Sequence, residues 1–362
     1  MKRYFNTYYI KSSLIIAIFL SLPLYLIHFE IDNKAFNSIL ILIGLILFFK
    51  QNIKSYPWIG FFTSIFWLWW ISLSFRYYNL TFLIPLIILA IGVFYWIIFW
   101  LLTFLRFKLL IILFFIFGLQ FIKPFGFDWF RYDILLPHTY FYILNPPIKP
   151  APLKIKTINT NIPQNKKWNK NSIIIEINNN FKYINKAIQE NYDVVVLPET
   201  IFPLALNEYP ELLNRLLKLS NNITIITGAL SYKNNAYYNS TYLFNKGTYK
   251  IYNKHILVPF GEYIPLPCCK KLLNKIFFNG AEDYKAAKNF QTYSINNIKF
   301  LNAICYEVTN ENLYKQKPKY IIAMSNNAWF YPSIEPTLQK LLIQFYSNKY
   351  KKYVYHSINE GK

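Results

Sequence analysis

Three short strings in the second half of the chain each place a reactive group where a strand ends. In Val194-Val195-Val196-Leu197-Pro198-Glu199-Thr200 a carboxylate follows a buried-strand pattern and a proline. That puts Glu199 at the carboxyl edge of a sheet, where α/β folds assemble their sites. In Tyr252-Asn253-Lys254-His255-Ile256-Leu257-Val258-Pro259-Phe260-Gly261-Glu262 the lysine is a candidate electrophile and Glu262 a second acid. In Phe300-Leu301-Asn302-Ala303-Ile304-Cys305-Tyr306-Glu307 an apolar strand delivers a cysteine into a turn. The polar residues after it and a helix expected near 309–315 predict a strand-to-helix elbow. Such a turn exposes the sulfur and sets backbone N–H groups beside it, lowering the thiol's pKa and preparing an oxyanion site. Singly, these strings also read as a solvated loop glutamate, a surface lysine and a small buried hydrophobe. In the order glutamate, lysine, cysteine they form a specific combination.

The elements around them alternate. Residues 153–158 read as a strand, 172–191 as a helix, 193–197 as a buried strand, 206–220 as a helix and 223–230 as a strand. Residues 237–244 and 248–253 form a strand pair across Asn245-Lys246-Gly247. Further short apolar runs cover 300–304 and 320–324, and 336–350 is an amphipathic helix. The pattern predicts an α/β domain of about 200 residues, large enough for one good core. Ahead of it, Asn145-Pro146-Pro147-Ile148-Lys149-Pro150-Ala151-Pro152 can neither continue a helix nor join a sheet interior, and reads as a linker.

The first half of the chain belongs to a different solvent. Of 362 residues 54% are hydrophobic and 15% charged, against about 25% charged in soluble domains. Charge-poor apolar stretches at 12–29, 35–49, 56–75, 77–105 and 109–122 are candidate membrane helices. The second and fifth are short and need Lys34, Lys50, Lys108 and Lys123 to snorkel. Seven Lys or Arg fall on one side of this arrangement (Lys2, Arg3, Lys11, Lys50, Lys54, Arg106, Lys108) and two on the other (Lys34, Arg76). The positive-inside rule then places the N-terminus in the cytoplasm, and five spans deliver everything after Ile122 to the outer side. The net charge of +22 raises nucleic acid as a partner, but only five of the 39 basic residues are arginine, the residue whose fork reads bases and phosphates. No nucleic acid partner is expected. The lysines read instead as compositional drift or as a basic face on anionic lipid. Three cysteines, with no C-x-x-C or Cys/His spacing, point to neither a disulfide framework nor a zinc site.

The Glu199, Lys254 and Cys305 strings resemble the nitrilase superfamily, whose Glu-Lys-Cys site cleaves carbon–nitrogen or acyl bonds through a thioester. Further strings resemble the membrane-anchored branch of that superfamily, the bacterial apolipoprotein N-acyltransferases. They are Asn161-Ile162-Pro163-Gln164 with Lys167-Trp168, Tyr238-Asn239, the run from Lys254 to Pro265, and Ser325-Asn326-Asn327-Ala328-Trp329-Phe330. The resemblance implies a multi-helix membrane bundle over 1–128, a Pro-rich linker over 129–152 and a four-layer αββα sandwich over 153–362. It implies Cys305 as nucleophile, Glu199 as general base and Lys254 as the cation facing the oxyanion. Asn239, Glu262, Tyr306 and Glu307 take supporting positions, and Trp168 and Trp329 match aromatics near a lipid or peptide entry; both tryptophans equally suit interfacial anchoring or core packing. No metal or other cofactor is implied.

The implied activity is transfer of a fatty acyl chain from a phospholipid to the α-amino group of a lipoprotein's N-terminal diacylglyceryl-cysteine, at the periplasmic face of the bacterial inner membrane. The alternatives are a membrane-tethered amidase with water as acceptor, and an inactive lipid-binding remnant. The sequence departs from the family at Asn327, where an aspartate is common, and after His356 to Lys362, where closing strands and a last membrane helix are expected. On that ground the domain is expected to be truncated, with an open strand edge.

Overall fold

The computed structural model describes residues 4–136, 148–277, 280 and 282–361. The chain divides into two compact units, Met1–Asn145 with Pro332–Phe345, and Pro146–Tyr331 with Tyr346–Lys362.

In the first unit helices form at all five apolar stretches. They are α1 (Thr7–His28), α2 (Lys34–Lys50), α3 (Tyr56–Leu68), α4 (Ile84–Leu102) and α5 (Lys108–Leu113). Helical turns extend α3 to Tyr78 and α5 to Phe121, so the helical segments Thr7–His28, Ile53–Tyr78 and Thr81–Leu105 are long and apolar enough to cross a membrane. α2, with 17 residues, and the segment Lys108–Phe121 are shorter. Leu42 and Leu101 remain 58% and 54% exposed, which suits side chains that meet lipid rather than a protein core. Inside, α1 packs on α2 and α3, and α3 on α4. A Cβ on Gly60 of α3 would stand 2.3 Å from Cδ2 of Phe99 on α4, so only glycine lets these helices approach this closely.

Residues 129–135, read from the sequence as the start of a linker, are instead buried in this unit. Trp129 packs on Trp70 and Phe130 on Tyr95 and Trp67, while Arg131 pairs with Asp133 at 2.6 Å. Large aromatic rings remove more surface from water than a solvated linker allows. The Asn145-Pro146-Pro147 part of the expected linker lies outside the described residues.

The second unit contains two sheets. The first has the order β1 (Ile155–Thr157), β2 (Val194–Val196), β4 (Thr224–Lys233), β5 (Ala236–Asn245), β6 (Thr248–Asn253), with β3 (Phe202–Ala205) also paired to β4. The second runs β10 (Tyr353–Asn359), β9 (Tyr320–Asn326), β8 (Ile298–Ile304), β7 (Thr292–Ile295). Alternation along β2 explains the layering, because successive side chains point to opposite faces. Val195 joins a core with Phe181, Ile184, Leu213 and Leu216 from the helices Lys170–Gln189 and Pro210–Leu219. Val194 and Val196 join Phe300, Ile304, Ile322 and Met324 between the sheets. Beyond β8 the short helix Glu311–Tyr314 sets the Tyr314 ring against Tyr346, 5.3 Å between centroids.

β3 and β7 were not anticipated; β10 overlaps His356 to Lys362, the start of the expected closing strands. β7 pairs with β8 through Asn296-Asn297, both at positive φ (47° and 64°), the double left-handed turn that suits a right-twisted hairpin. β10 pairs in parallel along the whole of β9. Its outer edge is not left open at the carboxyl end: the Thr160 amide donates to the Ile358 carbonyl and the Glu360 amide to the Thr160 carbonyl, each at 2.9 Å. The buried Asn359 amide locks this crossing, since its Oδ1 accepts from the Ile162 amide and its Nδ2 donates to Asn326 Oδ1, both at 2.8 Å. The Ile358 carbonyl and the Glu360 amide at this end of the sheet margin are thereby satisfied.

Beside it, His356 Nε2 lies 2.8 Å from Ser325 Oγ, and burial pushes the imidazole down to about 4. The folded state therefore binds fewer protons than the unfolded chain as pH falls from about 6.5 towards 4. Stability present above 6.5 is lost through that window, by at most about 3 kcal/mol. Between pH 7 and 5 the apparent Tm of the detergent-solubilised protein should fall more than that of His356→Gln. Equal falls would show that this histidine is not a source of acid sensitivity.

Candidate active site

The positions of Glu199, Lys254 and Cys305 follow from strand direction. β5 runs antiparallel to both β4 and β6, and β2 runs parallel to β4, so β2 and β6 point the same way. Their carboxyl ends share one edge of the sheet. Glu199 comes three residues after β2 and Lys254 immediately after β6. Asn239 reaches the same edge from near the start of β5, and the Lys254 amide donates to its carbonyl at 2.9 Å.

The side chains then converge. Lys254 Nζ stands 2.8 Å from Glu262 Oε2 and 3.9 Å from Glu199 Oε1. The Asn239 amide donates to Oε1 of both Glu199 and Glu262 at 2.7 Å, and the Val258 amide donates to Glu262 Oε2 at 2.8 Å. All four side chains are buried. Burial by itself disfavours the Lys254 charge, but Glu262, Glu199 and Cys305 reverse that effect and raise its pKa above the usual lysine range. Lys254 is thus a fixed cation in a water-poor site, where a charge acts on its neighbours more strongly than in bulk solvent.

Cys305 opens the turn Cys305–Thr309 directly after β8, as the elbow pattern anticipates. Its φ of 54° is a left-handed conformation that a side chain bearing Cβ disfavours. The surroundings hold it there through Glu307. Oε2 of Glu307 accepts from the Ile304 amide at 2.8 Å, and Oε1 accepts from the amides of His255 and Ile256 at 2.7 and 3.1 Å. One buried carboxylate therefore ties the cysteine turn to the lysine segment. Burial raises its pKa to about 7, against the lowering effects of Lys254 and the three amides. Tyr306, also buried, accepts at its carbonyl from the Thr309 hydroxyl at 2.8 Å. Trp168 ends the helix Gln164–Lys167 and is 42% exposed, while Trp329 is half-buried in the turn Asn327–Phe330 after β9.

Two contributors, Gly228 and Tyr284, escaped sequence reading, and a third, Lys167, stands beside Trp168 in the sequence without a role. Gly228 on β4 leaves room for the Glu199 turn: a Cβ there would lie 2.5 Å from the Thr200 amide nitrogen and 2.7 Å from Glu199 Cα. Tyr284 donates its amide to the Glu262 carbonyl at 2.9 Å, and burial, reinforced by the Glu262 and Glu199 charges, raises its phenol pKa. Lys167 is buried, and its ammonium donates to the Glu199 carbonyl at 2.8 Å. Glycine in a strand and lysine in a lysine-rich chain carry little signal of their own. Among the described residues no three His, Cys, Asp or Glu side chains converge as a metal site. A carboxylate, an ammonium and a sulfur at adjoining strand ends are the groups that acyl transfer through a thioester needs.

Lipid-exposed helices in one unit and this edge site on paired sheets in the other define a membrane-integrated protein with a carbon–nitrogen hydrolase domain. Residues 7–148 match the apolipoprotein N-acyltransferase integral membrane domain, and residues 161–361 match the carbon–nitrogen hydrolase family. The chain belongs to the apolipoprotein N-acyltransferase family. It is 37% identical to the apolipoprotein N-acyltransferase of Wolinella succinogenes over 95% of this chain and 92% of that one. It is 39% identical to that of Campylobacter jejuni over 95% and 86%. Among solved structures, a CN-hydrolase superfamily protein from Xanthomonas campestris is similar at 12% identity and a TM-score of 0.43, over 57% of this chain and 76% of that one. The protein is a membrane acyltransferase with a nitrilase-like domain.

Proposed function

We propose that the acyl donor is a phospholipid and the acceptor the α-amino group of a lipoprotein's N-terminal diacylglyceryl-cysteine. The observation that carries this reading is the buried Lys254 ammonium between Glu199 and Glu262, electrostatically coupled to a cysteine held in a left-handed elbow. Glu199 takes the Cys305 proton, and the thiolate attacks the ester carbonyl of the donor. The oxyanion faces Lys254 and then collapses, and the departing lysophospholipid oxygen receives the proton from Glu199. This leaves a thioester. In the second half-reaction the acceptor amine attacks it, Glu199 takes the amine proton, and the sulfur departs to regain that proton as the amide forms. Asn239, Glu262, Tyr306 and Glu307 keep these groups in place, and Trp168 and Trp329 line the approach of lipid or peptide. An amide as donor with water as acceptor would make the protein an amidase; the lipid-exposed helices favour two lipid substrates.

The reading includes a bacterial inner membrane setting with the nitrilase-like domain in the periplasm, supported by the seven-to-two distribution of Lys and Arg. Incubation of the full-length protein in mixed micelles with phospholipid and a diacylglyceryl lipopeptide should yield N-acylated lipopeptide and lysophospholipid in equal amounts by mass spectrometry. Free fatty acid with unmodified lipopeptide would favour hydrolysis and sink the proposal. Reporter fusions after Lys54 and after Pro152 should report cytoplasm and periplasm respectively; a cytoplasmic signal from both would overturn the orientation.

A further inference from the structure

Around Lys254 the described core of the site gathers more buried acids than cations, and Lys167 is a second buried cation beside them. Glu199 and Glu262 are two buried carboxylates, and Lys254 is one buried ammonium. Lys254 faces both acids, and Glu307 and Tyr284 approach the same cluster from the turn after β8 and from the segment before β7. An unbalanced charge removed from water is costly, and neighbouring groups shift their protonation to avoid it. Lys167 lies on a different segment, the turn Gln164–Lys167, and is 2% exposed. Its described hydrogen bond is to a neutral acceptor, the Glu199 carbonyl, at 2.8 Å. A lysine whose task was only to tie that carbonyl would bury a full charge where a neutral donor suffices.

We infer that Lys167 is a second, positioning cation of the active site: anchored on the Glu199 backbone, it offsets the clustered carboxylates and favours the state in which Cys305 is a thiolate. The inference rests on the proposed role of Cys305. Lys167 interacts electrostatically with both Glu199 and Cys305. Burial pulls its pKa down to about 8, with those two groups opposing the fall, so it still carries its proton at neutral pH. Moving a proton from Cys305 to Glu199 transfers negative charge from oxygen to sulfur and leaves the sum unchanged. A cation coupled to the sulfur as well as to Glu199 offsets the negative charge when it moves onto sulfur, and its loss leaves the thiolate with Lys254 alone. It also stiffens the turn in which Thr200 holds a φ of 44°.

The test is the pH dependence of Cys305 alkylation by iodoacetamide in the full-length protein, read peptide by peptide with mass spectrometry so that Cys268 and Cys269 serve as internal references. In Lys167→Met the midpoint of the Cys305 profile should move up by about one pH unit, with alkylation at pH 7 slowed about tenfold. Lys167→Arg should restore most of the rate. Lys167→Gln keeps a donor for the Glu199 carbonyl without the charge, so it should behave like Lys167→Met, and it carries the same decision if the methionine variant does not fold. A purely structural tie predicts an unmoved midpoint in Lys167→Gln, and that result would overturn the inference while leaving Cys305 as nucleophile. A wild-type Cys305 that titrates like Cys268 would instead remove the nucleophile reading itself, and the inference with it.

Discussion

Incubated with phospholipid alone, the full-length protein should acquire one hydroxylamine-labile acyl group on Cys305 and release lysophospholipid before any acceptor is added. A thioester intermediate divides one difficult transfer into two easier ones, so the first half-reaction proceeds without the second substrate. Cys305→Ala should abolish the adduct entirely. Glu199→Gln removes the proton acceptor but preserves the side-chain shape that receives the Asn239 amide at 2.7 Å. Lys254→Met removes the cation that stands 2.8 Å from Glu262 Oε2 and leaves that buried acid without its ammonium partner. Each should slow adduct formation by about 10²-fold or more. Cys268→Ala and Cys269→Ala should leave the adduct intact, since both sulfurs are exposed and lie 3.5 Å from each other. Intact-protein mass spectrometry decides the matter. Normal acyl transfer without the Cys305 sulfur would end the thioester mechanism.

The second large effect should come from Gly228→Ala, a one-carbon change at a residue with no functional group. The added Cβ would meet backbone rather than a side-chain end: Thr200 N at 2.5 Å, Glu199 Cα at 2.7 Å and the Pro198 carbonyl oxygen at 2.7 Å. Backbone cannot rotate away, so the Pro198-Glu199-Thr200 turn must shift. The Glu199 carboxylate then loses its alignment with Lys254 and Asn239. A displacement of about 1 Å at a proton acceptor costs about 10²-fold in rate. Because β4 stays apolar and paired on both sides, most of the loss should appear in the rate of thioester formation and less in the apparent Tm. Unchanged kinetics in a folded Gly228→Ala protein would mean that Glu199 tolerates movement, which a positioned general base does not.

The site was legible wherever reactive residue types stand at the ends of apolar runs. β2, β6 and β8 terminate just before Glu199, Lys254 and Cys305; the endings of β2 and β8 are visible because apolar runs give way to Pro198 and to Tyr306-Glu307, and that of β6 because it pairs with 237–244 across Asn245-Lys246-Gly247. Five charge-poor stretches, against a lysine-rich background, likewise reveal the helices of the first unit. Reading was weaker where an element is short or polar. Pro203 hides β3, β10 alternates around His356 and Ser357, and the aromatic run at 129–135 gives no periodicity to show that it is buried.

Residue order alone determined which groups are available: a carboxylate, an ammonium and a thiol, each at a strand's carboxyl end, behind a set of apolar helices. Those features depend on side-chain type and on periods of 2 and 3.6, which are local properties of the chain. Tertiary structure alone decided which of the chain's many lysines and glutamates are removed from water together. Lys254, Lys167, Glu199, Glu262 and Glu307 come from segments far apart in sequence, and burial and proximity are set by how sheets and turns meet. The same holds for Gly228, which matters only because another strand's turn passes within 3 Å of its missing Cβ. Charge at a distance and the space left for a neighbour are long-range quantities, and only the folded chain defines them.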